Sequence, residues 1–185
     1  MFGSGAGRQA VIRALEPNAL HHGEIHMLPI ARIIAAGAAL TAVAFAGVAT
    51  AQDVSLNPTY GTANLSAGFT PDPYVVNVQS GGNVDASSIS SSCRGYIANA
   101  PDVRLNYRSG SYPLIISANS SADTTLVVNA PDGSWYCSDD EGVNGMNPMV
   151  RFNGPQSGQY DIWVGTYGNA SLQPAQLHVS EVSSQ

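Results

Sequence analysis

The sequence predicts an all-β protein, an antiparallel β-sandwich of jelly-roll type with about eight or nine short strands, preceded by a signal-peptide helix. Three observations predict it. Hydrophobic residues make up 44% of the chain and charged ones only 11%, beside 19 Gly and 11 Pro, too apolar for a disordered chain and too rich in breakers for a helical bundle. Short runs with apolar residues at alternate positions recur between clusters of Gly, Pro, Asn, Asp and Ser, as they do in sandwiches and barrels. No convincing helix occurs after the first fifty or so residues. At 185 residues the chain has the length of one domain.

The first element is an address. Ile33 to Ala51 is a run of 19 uncharged residues, preceded by Arg32 and ending Ala49-Thr50-Ala51. A positive start, an apolar stretch and small residues at the end are the layout of a secretory signal peptide, so 27–51 is read as the signal, cleaved after Ala51. An uncleaved membrane anchor is the alternative, since about 20 apolar residues can span a bilayer, but Ala and Gly dominate here. Residues 1–26 are too long for a signal's charged region and read as an upstream extension, with Met27 as the start. The expected home is the periplasm or the exterior of a bacterium.

The mature part, 52–185, holds four Arg against eleven acids, a net charge of −7, and no Lys occurs anywhere in the chain. A protein with so few cations is a poor match for a phosphate backbone, which excludes nucleic acid as a partner. The membrane enters only through the signal before cleavage. Residues 52–70 lack periodicity and read as a flexible lead-in, 71–182 as the sandwich and 183–185 as a tail. Strands are expected at 74–78, 96–98, 103–107, 114–118, 124–129, 135–138, 149–152, 159–165 and 176–180. Pro131-Asp132-Gly133 places Pro where φ near −65° is wanted and Gly where φ is positive, so 124–129 and 135–138 form a hairpin. In Gln159–Gly165 the residues Tyr160, Ile162 and Val164 face the core, and Asp161 and Trp163 face away from it. His178, between Leu177 and Val179, likewise faces outward.

Cys93 and Cys137 are the only cysteines and lie in the exported part, where an oxidising compartment favours joining them. A nucleophilic cysteine is the alternative reading, but His178 is the one histidine after the cut and a thiol nucleophile needs a nearby base. Serine hydrolysis meets the same shortage of a base. Asp139 and Asp140 are neighbours in sequence and would face apart on an extended segment, unlike the paired carboxylates of a glycosidase.

The stretch from Asp123 to Tyr167 resembles the bacterial pre-peptidase C-terminal domain, a secreted β-sandwich module attached to exported proteases and other hydrolases. Asp123-Thr124-Thr125-Leu126 is similar to that family's Asp-x-x-Leu strand, Pro131-Asp132-Gly133 to its turn, and Asp139-Asp140 to its paired acids. Gly158-Gln159-Tyr160-Asp161-Ile162-Trp163-Val164 is similar to its Gly-x-Tyr-x-Ile-x-Val ending. The resemblance implies a fold and an exported setting rather than proteolysis, because no peptidase domain precedes the matching region.

Two clusters are candidate sites. Ser138 to Asn147 gathers Asp139, Asp140 and Glu141 beside two Asn in a Gly-rich loop, oxygen ligands of the type Ca²⁺ uses, with Asp123 as an added ligand. The spacing is not that of an EF-hand, and a solvated acidic turn is the alternative; mutual repulsion among three acids calls for a cation, solvent or an arginine such as Arg151. Trp135, Tyr136, Trp163 and Tyr167, with Asp161 and nearby Asn residues supplying hydrogen bonds, form a candidate platform for sugar rings, against the alternative that two Trp of a small sandwich are buried near its disulfide. The expected function is that of an exported, non-catalytic binding or accessory module with no cofactor other than Ca²⁺. Its expected partner is another exported protein or a component of the cell envelope. A calcium- or carbohydrate-binding module is the alternative, and a hydrolase comes last.

Overall fold

In the computed structural model, residues 52–143 and 145–185 are described; the expected signal segment and upstream extension lie outside them. Alternation assigns the faces. Along β10 (Gly158–Thr166), Tyr160, Ile162 and Val164 enter the main core, while Asp161 and Trp163 take the opposite face, as the period of two requires. The same rule sends Leu126 and Val128 of β7 (Thr124–Asn129) inward, opposite Val164 and Ile162 of β10.

Among the described residues, eleven strands form two sheets. The seven-stranded sheet is centred on β10, which pairs antiparallel with β5 (Val103–Arg108) along its first half and with β7 along its second. β8 (Trp135–Ser138) extends the sheet beyond β7. At the far end of β10, Thr166 meets Tyr96 of the short strand β4 (Tyr96–Ile97), itself paired with β3 (Val84–Asp85). The four-stranded sheet has the order β2 (Tyr74–Ser80), β11 (Gln173–Ser180), β6 (Leu114–Asn119), β9 (Met149–Phe152), all antiparallel. Its inward residues Val78, Leu114, Ile116, Val150, Leu177 and Val179 close the core against the first sheet.

All nine strands expected from the sequence are present, and two more join them. Within the segment expected to be a flexible lead-in, β1 (Thr62–Ser66) pairs in parallel with β5, Ala63 beside Leu105 and Leu65 beside Tyr107. The ladder to β5 and the burial of Ala63 hold it in place. The other addition, β3, is only two residues long.

The hairpin of β7 and β8 turns where expected: Gly133 has φ +80°, and Asp132 Oδ1 accepts from Ser134 N at 2.9 Å. Behind the seven-stranded sheet lies a second, smaller core of Ala86, Cys93, Ile97, Val127 and Trp163. The segment that covers this face comes very close to its own neighbours, and a Cβ on Gly82 would stand 2.2 Å from the Ile97 carbonyl oxygen. Cys93 and Cys137 are joined, with Cα atoms 5.2 Å apart, so the disulfide fastens this covering segment to β8.

Candidate metal centre

The acidic cluster is a product of the β7–β8 hairpin. Leu126 is registered opposite Ser138, so Asp123, just before β7, lies at the same end as Asp139 and Asp140, just after β8. One carboxylate oxygen from each of Asp123, Asp139 and Asp140 lies within 4.8 Å of the other two. Oxygens that each sit at about 2.4 Å from a Ca²⁺ can be at most about 4.8 Å apart, so the three fit one hard cation, and no soft donor is among them.

Asp123 and Asp139 are half-buried and Asp140 is exposed. Asp123 Oδ1 and Asp139 Oδ1 are shielded from solvent and have no hydrogen-bond partner among the described residues. Desolvation pushes the Asp139 carboxyl above the ordinary range, and the charges of Asp140, Asp123 and Glu141 add to the push. Desolvation and then Asp140 raise Asp123 in the same way. A bound divalent cation relieves both causes.

Glu141 is not in the cluster. Its Oε2 accepts from Ser138 Oγ and, at 2.9 Å, from Asp139 N, which holds its carboxyl below the usual range. It closes the turn on which Asp139 stands. The expected arginine neighbour is also a different one. Arg151 Nε donates to Asn153 Oδ1 at 2.9 Å, whereas the charge that eases Asp139 belongs to Arg94. The disulfide explains the exchange, because joining Cys93 to Cys137 brings the residue after Cys93 to the end of β8.

Asn147, counted from the sequence among the oxygen-bearing residues of the loop, has its side chain turned to Ser120 and Thr124 and shapes the loop instead. It is buried, its Oδ1 accepts from Ser120 N and Thr124 Oγ1, both at 3.0 Å, and its Nδ2 donates to Ser120 O at 3.1 Å. Gly142 N donates to its carbonyl at 2.8 Å. The acidic loop is thereby pinned to the β6–β7 turn. The available signal was an Asn directly before Pro148 and a strand.

The aromatic platform does not form. Trp163 does leave the main core, but the disulfide-fastened segment covers that face and leaves it 0% exposed, with the Trp135 ring centroid 5.4 Å away. Asp161 is 2% exposed; its Oδ1 accepts from Arg104 Nε and its Oδ2 from Gln159 Nε2, both at 2.7 Å. A carboxylate so engaged has little to offer a sugar. Tyr167 is 45% exposed and belongs to the acidic end, where its N donates to Asp123 O at 3.0 Å. His178 faces outward yet is 6% exposed, with neither ring nitrogen bonded among the described residues. The chain turns back over this face after β11: Gln185 N donates to Ser117 Oγ at 3.2 Å, and Ser117 is registered opposite His178. Among the described residues no serine hydroxyl is bonded to the imidazole.

No protein-family model and no curated protein sequence matches the chain. Among solved structures, it is similar to the pre-peptidase C-terminal domain of a collagenase from Bacillus anthracis, at 13% identity over 68% of this chain and 100% of that one, with a TM-score of 0.39. It is also similar to PliG of Aeromonas hydrophila, a periplasmic inhibitor of g-type lysozyme, at 13% identity over 64% of this chain and 96% of that one, with a TM-score of 0.34.

Proposed function

We propose that the chain is a non-catalytic binding module that works outside the cytoplasm and carries a Ca²⁺ at Asp123, Asp139 and Asp140. The observation that carries this reading is the convergence of three carboxylates with two solvent-shielded, unpartnered oxygens between them. The disulfide fits an oxidising compartment, and the signal-like segment 27–51 supports export. The partner is another exported protein or an envelope component, and a basic patch on it would complement the −7 charge of the part after Ala51. Filling the cluster makes the acidic loop rigid and gives this end of the sandwich a fixed shape and a smaller negative charge.

A thermal melt tests the cation. At a hundredfold excess over Kd, a ligand that binds only the folded state stabilises it by about 2.7 kcal/mol, several degrees in Tm for a domain of this size. Millimolar Ca²⁺ is expected to raise Tm by that amount over the EDTA-treated protein, and Asp139→Asn is expected to remove the response. An unchanged Tm would leave the cluster a solvated acidic turn.

A further inference from the structure

We propose that the outer face of the four-stranded sheet binds a neutral, polyhydroxylated ligand, a glycan chain, in a groove of about 590 Å³ that runs over β2, β11 and the β6–β7 turn. The site is separate from the acidic cluster and does not depend on it.

The strand register builds it. Asn77 of β2 stands opposite Gln176 of β11, and Gln176 stands opposite Asn119 of β6. Their chain neighbours Val78, Leu177 and Ala118 point into the core, so all three carboxamides lie on the outer face, one per strand, in a row with steps of about 4.8 Å. Gln79 adds a fourth, two residues along β2 and opposite Pro174. No charged side chain lines the groove, in a protein with a marked acidic excess.

A carboxamide both donates and accepts, as a sugar hydroxyl does. Here that capacity is largely free. Gln176 Nε2 donates to Asn77 Oδ1 at 3.0 Å, which leaves Asn77 Nδ2 and Gln176 Oε1 unengaged. Among the described residues the side chains of Asn119 and Gln79 have no partner. The Pro174 ring supplies an apolar strip for the CH face of a sugar. An anionic ligand would meet no cation here, and a cationic one no carboxylate.

The other sheet provides a contrast. Asn64, Asn106 and Gln159 form a similar row across β1, β5 and β10, beside a groove of about 370 Å³. There Asn106 Nδ2 donates to Asn64 Oδ1 at 2.9 Å and Gln159 Nε2 to Asp161 Oδ2 at 2.7 Å, and Arg108 lines the groove. That row is spent inside the protein, and the row on the four-stranded sheet is not.

The test is a titration of ¹⁵N-labelled protein in EDTA with cellohexaose, maltohexaose, laminarihexaose and chitohexaose, and with polygalacturonate as the anionic comparison. At least one neutral hexasaccharide is expected to shift the amide signals of Asn77, Asn119 and Gln176. Asn119→Ala and Gln176→Ala are each expected to weaken its binding about tenfold, as is Asn119→Asp, a near-isosteric exchange at a partly exposed site that leaves the fold intact. Shifts with none of the four, shifts confined to Trp135 and Tyr167, binding of polygalacturonate alone, or affinities unchanged in all three variants would each overturn the proposal. Because EDTA is present throughout, the result is independent of whether the acidic cluster holds Ca²⁺.

Discussion

Raising the pH from about 4 to about 8 is expected to destabilise the fold through one carboxyl, that of Asp102, by on the order of 4 kcal/mol. Asp102 stands just before β5 and is 2% exposed. Its backbone is fixed on both sides: its N donates to Ile162 O and its carbonyl accepts from Tyr60 N, both at 2.8 Å. Its carboxyl receives one hydrogen bond, from Val164 N at 2.7 Å. Burial therefore dominates and pushes its pKa from an ordinary 3.8 up to about 7, against the smaller pull of the Val164 amide. The folded protein keeps a proton that the unfolded chain releases across this window. The stabilisation is complete below about 3.8 and is lost as pH rises through about 7, and each pH unit of the window is worth about 1.4 kcal/mol.

Asp102→Asn keeps the acceptor for Val164 N and removes the charge. It is expected to be more stable than the parent at pH 8 and to have a much shallower slope across the window, as read by urea unfolding at a series of pH values. A variant with the parent's slope would place the titration elsewhere. Asp123 and Asp139, also raised, have the same sign. His178, lowered by burial, has the opposite one, since its stabilisation is lost as pH falls below the usual histidine range.

Removing the disulfide is expected to have an effect of similar size. Cys93 and Cys137 are 44 residues apart in sequence, and closing such a loop in the unfolded chain stabilises by about 4 kcal/mol in the chain-entropy account. The bond also holds the lid of the second core, so its loss exposes the face on which Trp163 is buried. The double variant Cys93→Ser with Cys137→Ser is expected to melt roughly 10 to 20 °C lower, with a red shift of Trp emission as Trp163 meets water. A drop of only a degree or two with unchanged emission would mean that the covering segment holds itself in place.

What the sequence discloses depends on which interactions are local. The hairpin of β7 and β8 is legible from its alternation and from Pro131-Asp132-Gly133, and with it the meeting of Asp123 with Asp139 and Asp140. The disulfide is legible because only two cysteines exist. Alternation also sends Trp163 and His178 away from the main core, but it says nothing of whether that outer face is itself covered. For Trp163 the cover is a segment with little periodicity, fastened by a distant cysteine; for His178 it is chain that turns back after β11. The partner of Asp161 is Arg104, 57 residues earlier, and no local pattern announces such a pairing. β1 is hidden for the same reason, being a short strand whose parallel partner β5 lies some forty residues on. Glu141 is misplaced by a local effect, since a Ser three residues before it captures the carboxylate for a turn.

Calorimetric titration of CaCl₂ into the EDTA-treated, oxidised protein tests the central claim most directly. One saturable site with Kd on the order of 10⁻⁴ M, in the range of extracellular modules, is expected for the parent and for Glu141→Gln, and its loss is expected in Asp123→Asn and Asp139→Asn. No saturable binding by the parent, or binding that survives both Asp substitutions, would contradict the account.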